Sequence, residues 1–280
     1  MRRSIKAILL VAALAATALV ATQVQAQGQA PEPEPTMVAA PPTAGDTGGA
    51  ITETEFVPIT GCRIYDTRMG QGGSPIGAGN FRTLKVKGPE NIPGQYSGQG
   101  GKAGGCGVPV AATAIEATVT AVSAAGTGLL RLWPSGSTET TSTFLNYMKG
   151  FNPTNTGALA ICNVVCGAAS DLRVRANGSA THVVIEVQGY YVKPLAAVVQ
   201  ASGALSVGSR VVATSRPSTG QYLVKFDRNV DQCVANATAD GASIYAAVTP
   251  DVADQTRFYV FTFDASGALS NRAFHLNLTC

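Results

Sequence analysis

The chain is poor in charge. Only 13% of its 280 residues are acidic or basic, about half the ~25% usual in globular chains, while 45% are hydrophobic, which excludes a disordered polyelectrolyte. Histidine is almost absent, and His182 and His275 leave little for a general base or a metal centre. Aromatic residues make up 6%, with Trp133 the single tryptophan. The 31 glycines follow no three-residue period, which excludes a collagen. No Gly-x-Ser-x-Gly elbow is present. The formal charge of +3 becomes 17 basic against 17 acidic residues once Arg2, Arg3 and Lys6 are set aside. That balance predicts no nucleic-acid partner and no anionic membrane surface.

Those three basic residues precede an apolar run over residues 7–20, and Val24-Gln25-Ala26 then supplies a cleavage pattern. The segment 1–26 reads as a signal peptide. Its fourteen alanine-rich residues reach about 21 Å as a helix, short of the ~30 Å of hydrocarbon that an anchor must cross. No later stretch is long and apolar enough to span a bilayer, so the mature chain is expected to carry no transmembrane segment. Residues 27–54, with Pro-Glu-Pro-Glu-Pro, Pro41-Pro42 and Gly48-Gly49, bury too little to offset their ordering entropy and read as a disordered leader.

From Phe56 onward, short alternating runs are broken by glycine, proline and serine, the pattern of sheets. Ile115, Ala117, Val119 and Ala121 alternate with Glu116, Thr118 and Thr120, and Val183, Ile185 and Val187 with His182, Glu186 and Gln188. Further strands are predicted at 62–66, 81–87, 128–133, 158–162 and 171–176. The expectation is an all-β protein with two β-sandwich or barrel-like domains, the first over 55–194 and a smaller second over 195–280. Lys193-Pro194-Leu195 reads as the join, with the second set of strands starting near Arg210. There, Tyr222, Val224 and Phe226 alternate with Gln221 and Lys225, and Phe274, Leu276 and Leu278 with His275 and Asn277. Residues 257–263 are apolar on both sides and predict a strand covered on both faces, with a hairpin at Asp264-Ala265-Ser266-Gly267. The hexapeptide Ala-Ser-Gly-Ala-Leu-Ser occurs at Ala201 and again at Ala265, too short a match to mark a repeat.

Six cysteines in an exported chain predict three disulfides. Cys233 and Cys280, alone in the second domain, should pair; closing that loop of about 47 residues contributes about 4 kcal/mol in the chain-entropy model. Cys62, Cys106, Cys162 and Cys166 allow three pairings, and proximity favours Cys162 with Cys166 and Cys62 with Cys106. The three residues between Cys162 and Cys166 depart from zinc spacing, and no metal or other cofactor is predicted.

Four motifs in order, Cys62-Arg63-Ile64-Tyr65-Asp66-Thr67-Arg68, Cys106-Gly107-Val108-Pro109, Leu132-Trp133-Pro134-Ser135-Gly136 and Glu186-Val187-Gln188-Gly189-Tyr190-Tyr191, resemble a β-domain of exported bacterial proteins over about residues 56–192. Glu186 stands where that pattern commonly has aspartate. Gly220 to Val230, Cys233 and the ending Phe274 to Cys280 resemble a small module found at the ends of bacterial surface proteins. The resemblance implies fold and location; neither family carries an established activity.

Little chemistry is visible. The glycine-rich stretch 94–107 lacks the spacing of a phosphate loop and reads as a flexible surface loop with no helix after it. Glu116, Glu186 and Asp171 are the carboxylates to test as a glycosidase pair, with a solvated sheet face the stronger reading. Asp66 and Arg68 read as a partly buried ion pair closing one end of a sandwich. Asp251 and Asp254 lack EF-hand spacing. Trp133 and Arg131 share a strand face and are the candidate ligand-binding residues, where an aromatic plate can stack on a sugar; the competing reading buries Trp133 as a plug of the sandwich end. The expected function is a secreted or cell-surface bacterial structural or adhesive protein, not an enzyme, with envelope polysaccharide or surface proteins as partners. The alternatives are a carbohydrate-binding protein of the envelope and an unrecognised polysaccharide hydrolase.

Overall fold

The computed structural model describes residues 53–70, 73–162 and 170–280. The signal peptide, and the leader up to residue 52, lie outside the described residues. The described chain is all-β, with four antiparallel sheets and one helical turn.

In the first half the strands are β1 (Glu55–Asp66), β2 (Phe81–Leu84), β3 (Ala114–Val122), β4 (Gly128–Pro134), β5 (Leu145–Tyr147), β6 (Thr154–Ala160), β7 (Leu172–Asn177) and β8 (His182–Val192), with α1 (Gln95–Gly98) after β2. They form two sheets, in the orders β1-β8-β3-β6 and β2-β7-β4-β5. The alternation in β3 does what its sequence demands. Ile115, Ala117, Val119 and Ala121 are buried and meet Leu130, Leu132, Leu172 and Val174 of the facing sheet in one core. Thr118 and Thr120, on the other face, hydrogen-bond Thr156 and Thr154 across the strand pair.

The strand starting at Phe81 stops at Leu84 and not at Lys87, because Asp171 Oδ2 accepts the amides of Val86 at 2.7 Å and Lys87 at 3.0 Å in place of a partner strand. The glycine-rich stretch is no flexible loop. It contains α1, buries Tyr96 and Gln99, and packs along β1 through Asp66 N to Gln99 O, Lys102 N to Arg63 O and Gln99 Nε2 to Ile64 O. Its glycines permit that approach: Gly100 has φ +80°, and a Cβ there would overlap the carbonyl oxygen of Asp66.

The second half contains β9 (Leu195–Val199), β10 (Leu205–Ser209), β11 (Val211–Ser218), β12 (Gln221–Phe226), β13 (Val234–Ala239), β14 (Tyr245–Pro250), β15 (Arg257–Phe263) and β16 (Phe274–Thr279). Their sheets run β10-β9-β16-β13 and β11-β12-β15-β14. A separate core gathers Leu195, Val199, Tyr222, Val224, Phe226, Phe258, Val260, Phe274 and Leu276. Strand pairing therefore resumes at Leu195, not near Arg210, and β9 lies between β10 and β16. Strand β15 is central, but only Phe258, Val260 and Thr262 are buried; Tyr259, Phe261 and Phe263 are half-buried on the outer face. After Asp264 the chain makes a single bridge, Phe263 to Leu269, and then crosses to the other sheet, so β15 and β16 are not hairpin partners.

The duplicated hexapeptide adopts the same turn twice. Gln200 N bonds Ala204 O and Asp264 N bonds Ala268 O, with Gly203 at φ +92° and Gly267 at φ +83°.

Cys62 pairs with Cys106, and Cys233 with Cys280. The third expected disulfide involves Cys166, which lies outside the described residues; among those described no cysteine is free.

Candidate functional site

The motif from Cys62 to Arg68 consumes its own polar groups. Asp66 is fully buried, and Arg68 grips it through Nε to Oδ1 at 2.9 Å and Nη2 to Oδ2 at 2.8 Å, while its backbone amide donates to Oδ1 at 3.0 Å. Arg63 donates from Nη1 to Asp66 Oδ2 at 3.0 Å and from Nη2 to Glu186 Oε1 at 2.6 Å. These contacts, led by the Arg68 side-chain hydrogen bond, hold the Asp66 carboxyl below the usual aspartate range against the opposing effect of burial. Thr67 accepts the Val183 amide and shares a hydrogen bond of 3.0 Å with His182 Nδ1. Glu186 is one methylene longer than aspartate and spends that reach on Arg63.

Each of the three carboxylates weighed as glycosidase acids is engaged by another group. Glu116 Oε2 accepts Tyr191 OH at 3.0 Å, Glu186 holds Arg63, and Asp171 is buried in the other sheet's loop beneath Lys85 and the amides of Val86 and Lys87. Asp251 faces Arg257 at 2.6 Å, and Asp254 faces Lys225 at 3.1 Å and Arg257 at 3.2 Å, so both are engaged by cations. Asp254 is pulled down to about 2, first by the Thr256 hydroxyl and amide and then by Lys225. Among the described residues no group of three or more His, Cys, Asp or Glu side chains could hold a metal.

Trp133 and Arg131 stand on the outer face of β4, opposite the core leucines Leu130 and Leu132. Cross-strand register sets two rows there. Phe81, Arg175 and Arg131 lie side by side on β2, β7 and β4, and Thr83, Arg173 and Trp133 form the adjacent row. Trp133 is only 4% exposed although it is not part of the core cluster. It is buried on the outside of the sheet, with the Arg175 guanidinium 5.8 Å from its ring centroid and Phe81 at 6.3 Å. It is therefore neither an open plate nor a member of the core between the sheets. Glu139, from the loop after β4, forms ion pairs with Arg175 Nη1 at 3.1 Å and Arg131 Nη1 at 3.5 Å. Arg173 and Arg175, which sequence reasoning passed over, were legible as alternate positions of β7 once its register with β4 was known.

A second outer face belongs to β11-β12-β15-β14. Tyr245 pairs with Phe263 across β14 and β15, their rings stacked at 4.6 Å, and Tyr245 is 50% exposed. Tyr259 and Phe261 stack at 6.1 Å on the same face, flanked by Leu223 and Gln221 of β12 and by Thr249 and Ala247 of β14. Lys225 and Arg257 close the row at one end. Four aromatic side chains thus line one solvent-facing sheet surface, a concentration that isolated exposed apolar residues do not make.

Comparison with protein-family models, with curated proteins and with solved structures finds no match for this chain. Among the described residues no helix is long and apolar enough to cross a membrane.

Proposed function

We propose that the chain is a secreted or cell-surface bacterial protein without catalytic activity that adheres to envelope polysaccharide. Its contact surface is the aromatic outer face of β11-β12-β15-β14. The observation that carries this reading is the nearly parallel, solvent-facing ring pairs, Tyr245 with Phe263 and Tyr259 with Phe261, on one sheet. Rings stacked against one another on a sheet are held in place, so the apolar surface they leave exposed can meet the C–H faces of pyranoses at little conformational cost. Disulfides on the same chain support an oxidising, exported setting. The engagement of Glu116, Glu186 and Asp171 by other groups supports binding over hydrolysis. The likeness of the motifs to exported bacterial β-domains agrees with this location.

The test is retention of the folded protein on insoluble cell-wall glycan and on neutral polysaccharide columns. Wild type should be retained, and the Tyr259→Ala, Phe261→Ala double variant should elute in the void at a temperature where thermal denaturation shows it still folded. Release of reducing ends from any of these polymers would make the protein a hydrolase and overturn the reading.

A further inference from the structure

The outer face of β2, β7 and β4 is a different surface with a different chemistry, and we propose that it is a binding site for the carboxylate of an acidic, uronate-bearing saccharide. Three arginines, Arg131, Arg173 and Arg175, share this face with one carboxylate, Glu139, which pairs with Arg131 and Arg175. Arg173 and Arg175 both lie against the Phe81 ring, and like charges on one face repel unless an anion lies between them. Glu139 serves Arg175 and Arg131. Arg173 makes no ion pair among the described residues; its guanidinium rests 5.2 Å from the Phe81 ring centroid.

The side chains are held in place by packing. The Nε atoms of Arg131, Arg173 and Arg175 and the indole Nε1 of Trp133 are buried without hydrogen-bond partners among the described residues. Phe81 and Trp133 fix the guanidinium planes from the side by cation–π contact. An immobilised planar fork matches a carboxylate and loses little entropy on binding it. Glu139 shows that a carboxylate is accommodated on this face, since it pairs with Nη1 of Arg175 and of Arg131. Arg173, one row away, is the cation whose carboxylate must come from outside. Phe81, 43% exposed on the edge strand beside it, adds an apolar ring against which the sugar can lie. The site is compact and confined to two rows of the sheet, which suits one charged residue of a saccharide and gives no track for a nucleic-acid backbone.

The experiment uses the intact folded protein, with polygalacturonate as the acidic probe and dextran as the neutral one, by affinity electrophoresis at low salt. Wild type should be retarded by polygalacturonate and released as salt rises. Arg173→Gln should weaken that retardation at least tenfold, and Arg173→Lys should recover only part of it, because charge returns without the fork. Thr83→Glu supplies the complementary variant. Thr83 is the register partner of Arg173 on β2, so its new carboxylate can pair with Arg173 from within the chain and should abolish binding with every cation still present and the fold intact. The Tyr259→Ala, Phe261→Ala variant should bind polygalacturonate as wild type does, which separates failure here from failure of the aromatic face. Equal binding by wild type and Arg173→Gln would overturn the proposal. So would equal competition by inorganic phosphate or DNA at the same charge concentration, which would leave a generic anion surface.

Discussion

Arg68 reaches back two residues to hold the buried carboxylate of Asp66 with three hydrogen bonds, while its own guanidinium stays half exposed at the surface. The pair closes the end of β1 where the strand leaves its sheet. Removing Arg68 leaves the carboxylate with Arg63 as its remaining cation. Arg68→Ala is therefore expected to cost about 2 kcal/mol, the scale of hydrogen bonds to a charged group, read as a lower urea midpoint with an unchanged slope.

The same carboxylate sets a pH dependence. Its folded pKa lies below the unfolded value of about 3.9, so the native state gains stability from it once pH exceeds that value. The gain is fully present at neutral pH and is lost as pH falls through the depressed folded pKa. Asp66→Asn should be less stable than wild type at pH 7, and the gap should close towards pH 2. Chemical denaturation of both proteins across that range measures it; a gap that widens in acid would contradict the assignment.

Strand existence was legible in this sequence where one face is buried and the other is not. Strand β3 alternates because its inner residues meet a facing sheet and its outer threonines meet solvent and each other. The glycine-rich stretch was misread because glycine also signals close backbone approach, and local composition does not separate that from mobility. The stretch 193–208 was misread for a related reason. Lys193 and Pro194 do interrupt β8, but Leu195, Ala197 and Val199 already belong to the next core. The arginine face was invisible for want of register. Arg131, Arg173, Arg175 and Glu139 come from three separate segments, and only pairing between β4 and β7 brings them together.

The misread glycine stretch makes its own prediction. At Gly100 an added methyl would meet the Asp66 backbone, in a conformation at φ +80° that alanine rarely adopts. Gly100→Ala should cost on the order of 3 kcal/mol. Gly104 also has positive φ, but nothing lies within contact of an added Cβ there. Gly104→Ala should cost only about 1 kcal/mol, and the difference between the two variants in thermal unfolding tests whether packing against β1 is real.

Cys233 and Cys280 close a loop of 47 residues and join the residue before β13 to the end of β16, strands that already pair along their length. Replacing both by serine should cost about 4 kcal/mol if the disulfide acts mainly on the unfolded chain. The loss should appear in the second core and leave the first intact, because no sheet is shared between them. Hydrogen exchange is the suitable measurement. Protection should fall in β12, β15 and β16 and persist in β3 and β8, whereas uniform loss would mean that the two cores unfold as one.

Trp133 carries the last prediction, because its burial comes from side chains and not from the facing sheet. Phe81 and Arg175 lie against it, with Arg173 its register partner, and it contributes nothing to the cluster between the sheets. Trp133→Ala still removes a large, almost fully buried side chain, and should cost about 3 kcal/mol, the lower end of the range for buried aromatic truncation. The edge is open enough for neighbouring side chains to collapse into part of the space. The variant should also free Arg175 from the ring it lies over and remove the ring beside Phe81, on which Arg173 rests, so binding of polygalacturonate should weaken severalfold even under conditions where the protein is fully folded. Trp133→Phe keeps an aromatic ring beneath the guanidinium and should retain most of both properties. A Trp133→Ala protein with wild-type denaturation would mean that the indole is not buried as described, and one that is destabilised but binds normally would mean that Trp133 supports the sheet without positioning the arginines.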